Sequence, residues 1–289
     1  MDTRFFLLVA GAGVIAALCG CSRPRAESAG ELRVVSLAPN LTEMICALGA
    51  ADCLVGRTSA CDYPPEAIAK VPVIGGFGAP SVERLISVNP TLVVEVDLAD
   101  DTTGRAIDKL GIRRERILCR TLDDIPAALL TLGQYLGREK EARRIADPLT
   151  AEITRLRTEA AAATSPPAVF AEIWGDPSMT AGANSFISEL ITLAGGRNIG
   201  DEGRKDYYQV SSEWVVSCSP DVVLCLYPSE PGEARWRVLE RAGWANVNAV
   251  RTGRVYDHLS CNIILRPGPR VLDGIAELRR AIQSVPRQQ

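Results

Sequence analysis

The chain contains a single histidine, His258, among 289 residues. A Ser-His-Asp or Cys-His catalytic centre has to use that one imidazole, and a multi-histidine zinc site is excluded. Aromatic side chains make up only 5% of the sequence, so each Trp and Tyr calls for a reason. None of the seven cysteines beyond residue 21 sits in a CxxC motif. The formal net charge of −3 supplies no broad basic surface, which argues against nucleic-acid binding. What is present is enough to fold: 47% of the residues are apolar and 23% charged, so a real core is expected and wholesale disorder is not. The length suits roughly two domains.

The first twenty-one residues read as an export signal rather than as part of the fold. Arg4 precedes an uncharged apolar run, Phe5–Leu18, too short for a comfortable membrane span. It ends in Leu18-Cys19-Gly20-Cys21, which resembles a bacterial lipobox and implies Cys21 as the lipidated first residue of the mature chain. Residues 22–30 are small and polar and read as a tether. No later stretch is long and apolar enough to cross a bilayer. Cys46, Cys53, Cys61, Cys119, Cys218, Cys225 and Cys261 remain, an odd number, so at least one is free or pairs between molecules. Cys46, Cys119, Cys218 and Cys225 lie in apolar runs and read as small buried hydrophobes.

Alternating strand and helix signals predict an α/β fold of two lobes with central, mostly parallel sheets. In the first lobe, 31–137, strands are expected at 32–37, 53–57, 91–96 and 116–119. Pro39-Asn40 opens a helix through Leu48, with Asn40 as its cap and Glu43 completing a capping-box-like pair. Helices are also expected after Ser81 and near 102–110. From Asp123 to Thr164 the chain is rich in Ala, Leu, Glu and Arg, and Ile145, Leu149, Ile153 and Leu156 form one apolar stripe. A helix over 138–164, kinked or restarted at Pro148, would bridge the lobes as a rod. The second lobe, 166–289, repeats the style, with strands at 168–173, 221–226 and 254–257 and helices at 184–194, 211–218 and 269–284.

An internal repeat ties the halves together. Ser81, Glu83, Ser87, Pro90 and Val93 recur as Ser211, Glu213, Ser217, Pro220 and Val223, an offset of 130 throughout. Duplication is the better reading. Each Glu falls in the first turn of a short helix, where the helix dipole favours a carboxylate. Val82, Leu85 and Ile86 are the expected buried face, leaving Glu83, and likewise Glu213, toward solvent. Such residues are either ordinary helix-start carboxylates or one docking contact per lobe for a two-fold symmetric partner.

Several segments, in order, resemble the substrate-binding proteins of ABC importers for cobalamin, haem and ferric siderophores, whose lobes are joined by one long helix. They are Arg33-Val-Val-Ser-Leu-Ala-Pro39-Asn40-Leu-Thr-Glu43, Cys61-Asp62-Tyr63-Pro64-Pro65-Glu66, Gly75-Gly76-Phe77, Asn89-Pro90, Ala194-Gly195-Gly196-Arg-Asn198 and Arg266-Pro267-Gly268-Pro269-Arg270. The nearest likeness is to the cobalamin branch, and it covers nearly the whole mature chain. It implies a ligand held between the lobes by strand-end loops. Pro39, Asn40, Tyr63, Gly75, Gly76 and Phe77 are the candidates in the first lobe, and Trp174, Tyr207, Asn262 and Arg266 in the second. A corrin is flat and apolar with an amide rim, so Tyr63, Phe77, Trp174 and Tyr207 offer rigid surfaces. Asn40, Asn262 and Arg266 offer donors, and Gly75-Gly76 lets backbone come close.

The resemblance further implies no prosthetic group, a homodimeric permease with its ATPase subunits as partner, membrane attachment through a lipid anchor, and an extracytoplasmic location. Two alternatives stay open. The ligand could be haem, with Tyr63 or Tyr207 toward iron, or a ferric siderophore, with Arg266, Arg57 or Arg204. From another class, a chelate-processing enzyme would use Cys61, Cys261 or His258; the two cysteines flank the expected cleft, one per lobe.

Overall fold

Six strands build the first sheet: β1 (Val34–Ser36), β2 (Leu54–Thr58), β3 (Val73–Gly76), β4 (Ala79–Pro80), β5 (Leu92–Glu95) and β6 (Arg113–Arg116). The computed structural model describes residues 32–96 and 101–284; the export signal, Cys21 and the 22–30 tether lie outside the described residues. The strand order is β4-β3-β2-β1-β5-β6, parallel except for the β3–β4 hairpin. Both faces of the central strands are covered, which is why they read as continuous apolar runs. Val34 and Val94 feed one apolar cluster and Val35 and Val93 the other, as the two-residue period of a strand requires.

The second sheet comprises β7 (Ala168–Gly175), β8 (Ser178–Ala181), β9 (Arg197–Asn198), β10 (Tyr207–Gln209), β11 (Val222–Cys225) and β12 (Val255–Tyr256). Its order is β10-β8-β7-β11-β12, with β9 pairing β7 as well. β9, β11 and β12 extend the parallel set, whereas β8 runs antiparallel to both β7 and β10.

Helix Asp124–Leu136 ends at Gly137, whose φ of +65° makes the turn. Helix Glu139–Ala161 then runs for 23 residues, about 34 Å at ~1.5 Å per residue. Ala142, Ala146, Leu149, Ile153 and Leu156 form its buried stripe, and one apolar cluster continues from the first sheet through this stripe to the second. The helix does not restart at Pro148. That residue sits with Arg143, Arg144 and Asp147 on the exposed side, where water can serve the carbonyl that proline leaves without a donor.

The 130-residue repeat is structural. Ser81 caps helix Val82–Ser87 by accepting from Arg84 N, and Ser211 caps helix Ser212–Cys218 by accepting from Trp214 N. Ser87 and Ser217 each donate to the carbonyl three residues back at 2.7 Å. Asn89 and Ser219 both take positive φ, 45° and 41°, and Pro90 and Pro220 are both buried before the next strand. Glu83 and Glu213 are exposed, and each carboxyl lies below its ordinary range, chiefly because its own backbone N–H and then the capping serine donate to it.

Three local expectations are corrected. Strand β6 lies at Arg113–Arg116, three residues before the apolar stretch that suggested 116–119; its edge position suits charged side chains, with Arg114 paired to Glu95 and Asp108. Helix Pro39–Ala47 is preceded by extended Ala38 and starts with proline at its first position, so Asn40 does not cap it. Ile86 is 48% exposed; Leu85 alone fills the core from that helix.

Candidate ligand-binding cleft

The C-terminal ends of the parallel strands carry the loops that hold most of the candidate residues, where open α/β sheets place ligands. Pro39 and Asn40 follow β1, Tyr63 follows β2, and Phe77 tips the β3–β4 hairpin. Trp174 sits near the end of β7, Tyr207 starts β10, and Asn262 and Arg266 follow β12. Tyr63, Phe77, Trp174 and Tyr207 are exposed by 38%, 56%, 53% and 43%, large values for aromatic side chains. They are not core packing. The Trp174 indole N–H is donated to Asp176 O at 2.9 Å, which fixes the ring while leaving its faces open.

Between the lobes lies a pocket of about 400 Å³, lined by Cys119, Arg120 and Thr121 from the first lobe and by Phe186, Tyr207 and Pro267 among others from the second. A larger cavity of about 580 Å³ shares Arg120, Thr121 and Phe186 and extends toward Arg157 and Ala161 of the long helix. Of the candidate residues only Tyr207 lines the interlobe pocket. Burial, then Asp206, raise the Tyr207 hydroxyl above its ordinary range, so the phenol stays protonated. The Cys119 thiol is pushed up to about 12, mainly by burial.

Direct contacts gather a smaller group across the cleft. Arg270 grips Glu43 with Nε and Nη2, both at 2.8 Å, and its guanidinium lies 3.7 Å from the centre of the Tyr63 ring. Arg266 pairs with Asp62 through two hydrogen bonds, Nη2 to Oδ2 at 2.9 Å and Nη1 to Oδ1. That contact, more than any other, holds the Asp62 carboxyl below its ordinary value. Asn40 Nδ2 donates to Pro267 O at 3.3 Å. Sequence reasoning missed Asp62, Glu43 and Arg270 as site residues. All three stand inside the quoted motifs, beside residues that were singled out.

Other assignments change. Gly75 has φ +152°, and a Cβ there would meet Pro80 Cα at 2.7 Å, so the β3–β4 hairpin itself demands that glycine; Gly76 has open space beside it. Cys61 does not face the cleft or Cys261: it is buried between the hydroxyls of Thr42 and Thr58, at 3.1 and 3.2 Å. The seven described cysteines are all free thiols. Arg57 is committed to the carbonyls of Cys61 and Ile68. His258 is exposed and meets the Tyr256 ring edge-on. Among the described residues no cluster of three or more His, Cys, Asp or Glu could hold a metal ion, and no helix is long and apolar enough to cross a membrane.

These features match known proteins. An uncharacterised ABC transporter substrate-binding lipoprotein, YvrC of Bacillus subtilis, is 28% identical over 86% of this chain and 79% of its own. The solved periplasmic haem-binding protein RhuT of Roseiflexus is 31% identical, with a TM-score of 0.75 over 88% of this chain and 98% of its own. The periplasmic vitamin B12-binding protein BtuF of Vibrio cholerae is 27% identical, with a TM-score of 0.73 over 87% and 96%. The periplasmic binding protein profile matches residues 34–259. Two α/β lobes on one long helix, with a cleft where the strands end, are thus the architecture of a binding protein, and the chain belongs to the periplasmic binding protein family.

Proposed function

We propose that this protein is a lipid-anchored, extracytoplasmic receptor that captures a corrinoid between its lobes and hands it to a homodimeric ABC permease with its ATPase subunits. The exposure of four aromatic side chains at strand-end loops of both lobes carries the reading. Phe77, Trp174 and Tyr207, and the part of Tyr63 that Arg270 does not cover, are costly to leave facing water unless a flat apolar ligand covers them. Exposed Asn262 and partly exposed Arg266 supply donors to its rim, Asn40 is buried with its amide on Pro267 O, and Gly75-Gly76-Phe77 forms the neighbouring loop. The corrinoid is cargo, not a prosthetic group, and no catalytic step is assigned.

The names of relatives support a chelate ligand, since they include both B12- and haem-binding proteins. Tyr207 favours the corrinoid side of that choice. It lines the interlobe pocket as an exposed, neutral phenol, a flat surface for a macrocycle. Haem is the second reading, through Tyr63. Attachment through Cys21 rests on the lipobox likeness and on the lipoprotein among the relatives. Docking through Glu83 and Glu213 rests on their exposure and equivalent helix-start positions.

The deciding experiment titrates residues 22–289 with cyanocobalamin, cobinamide, haemin and a ferric siderophore, following tryptophan fluorescence. Saturable binding of the corrinoids in preference to the others is expected. Binding of haemin alone transfers the role to haem, and binding of the siderophore alone removes both.

A further inference from the structure

The contact between Asp62 and Arg266 joins positions 204 residues apart and opposite sides of the cleft. The geometry points to Asp62 as an internal competitor: in the empty receptor it occupies the Arg266 guanidinium that a carboxylate or phosphate on the ligand takes over on binding. This rests on the reading of Arg266 as a ligand-facing residue, and it makes Asp62 a specificity-determining residue.

The two-point contact is the form in which arginine recognises carboxylates and phosphates, so Asp62 mimics the group it would yield to. The remaining contact of Arg266 is a 3.4 Å approach to Ala60 O. Among the described residues, the two interlobe ion pairs are also unequal. Glu43 is 4% and Arg270 17% exposed, whereas Asp62 is 50% and Arg266 19% exposed. Parting the inner pair strands a buried carboxylate. Parting the outer pair returns Asp62 to water, where a carboxylate is stable alone. The outer pair is therefore the one built to exchange.

The loop presenting Asp62 is pinned. Ser59 N donates to Gly75 O at 2.8 Å, Cys61 N to Thr58 O at 3.1 Å, and Arg57 Nη1 to Cys61 O at 2.8 Å. Exchange thus needs a side-chain swing, not a rebuilt loop. Arg270, the other cation acting on Asp62, stays paired with Glu43. A ligand carrying an anion replaces what it displaces; a ligand without one leaves the outer pair closed. Occupation of Arg266 by Asp62 lowers the apparent affinity for anion-bearing ligands by the fraction of receptor in which the guanidinium is free.

The test uses the full chain in detergent with three probes: cyanocobalamin, which has a phosphodiester; cobinamide, the same ring without it; and haemin, with two carboxylates. Asp62→Asn is expected to tighten cyanocobalamin or haemin about fivefold and to change cobinamide less than twofold. Adding Arg266→Gln is expected to abolish that gain. Equal tightening of all probes that bind, or none, overturns the proposal. A ligand-free readout runs beside it: hydrogen exchange of residues 59–63 and 263–268 should quicken in Asp62→Asn, and unchanged exchange overturns the pairing. If no probe binds the unmodified protein, the corrinoid and haem readings fail, and the exchange measurement alone decides the role of Asp62.

Discussion

The first sheet is almost purely parallel, with one short hairpin at its edge, whereas the second inserts an antiparallel strand directly beside its central strand and adds β10 to it. The segment running from the capped helix to the following strand is nevertheless the same in both, down to the serine hydroxyl bonds and the positive-φ residue before the buried proline. One difference falls at the end of that strand. Glu95 closes β5 where Cys225 closes β11. Glu95 is buried, with one oxygen on Arg114 at 2.5 Å and Oε2 without a partner among the described residues. The second lobe instead buries Glu172 on β7 and satisfies it fully, by Arg241 at 2.5 Å, Ser178 at 2.9 Å and Tyr227 at 3.0 Å. The two copies share the exposed helix start and differ in the residue that ends the following strand.

That contrast can be broken most sharply at the buried carboxylates. Glu172→Ala leaves Arg241 buried without its anion and should cost about 3–5 kcal/mol in urea unfolding. Glu95→Ala should cost clearly less, because Arg114 keeps Asp108; equal losses would erase the distinction. Burial raises the Glu95 carboxyl above its ordinary 4.5. Its contribution to stability is therefore present at low pH and is lost as pH rises through the folded-state value. Glu95→Gln should remove that part of the pH profile.

The docking equivalence comes next. The double change Glu83→Ala with Glu213→Ala should abolish permease association and leave ligand affinity intact, with each single change weakening association. Normal uptake by the double variant would reduce the repeat to a relic of duplication. Within the cleft, Trp174→Ala should weaken ligand binding by about 2 kcal/mol, as for a desolvated anchor; an unchanged titration would remove Trp174 from the site. The smallest effect sharpens the symmetry itself: Ser81→Ala and Ser211→Ala should each cost about 1 kcal/mol of stability, and by similar amounts, because both remove the same cap.

The sequence carried the fold wherever the signal was local. Strand-helix alternation, the spacing Ile145-Leu149-Ile153-Leu156 and the Ser-x-Glu repeat each report on neighbours within a few turns, and the structure returns all three. Errors arose where a local pattern had a distant competitor. Glu43 stands three residues after Asn40, as a capping partner does, but its carboxylate is taken by Arg270, 227 residues away. The charged strand Arg113–Arg116 gave no apolar signal because its side chains answer to Glu95, Asp108 and Glu115. At the site, chemical type singled out four aromatics, and all four are exposed. The Asp62–Arg266 and Glu43–Arg270 pairs left no mark, since nothing in a sequence says which two distant charges the fold will bring together.

The 23-residue helix Glu139–Ala161, with its stripe inside a core common to both lobes, sets the mechanics of the receptor. A loose connector would let the lobes swing between separate open and shut states. A continuous helix bedded in both behaves as a leaf spring: displacement is elastic, small and opposed by a restoring force that grows with amplitude. On the proposed function, ligand entry is then expected to cost little reorganisation. On the same reading, release would take outside work, applied by the permease at the two equivalent helix starts that carry Glu83 and Glu213.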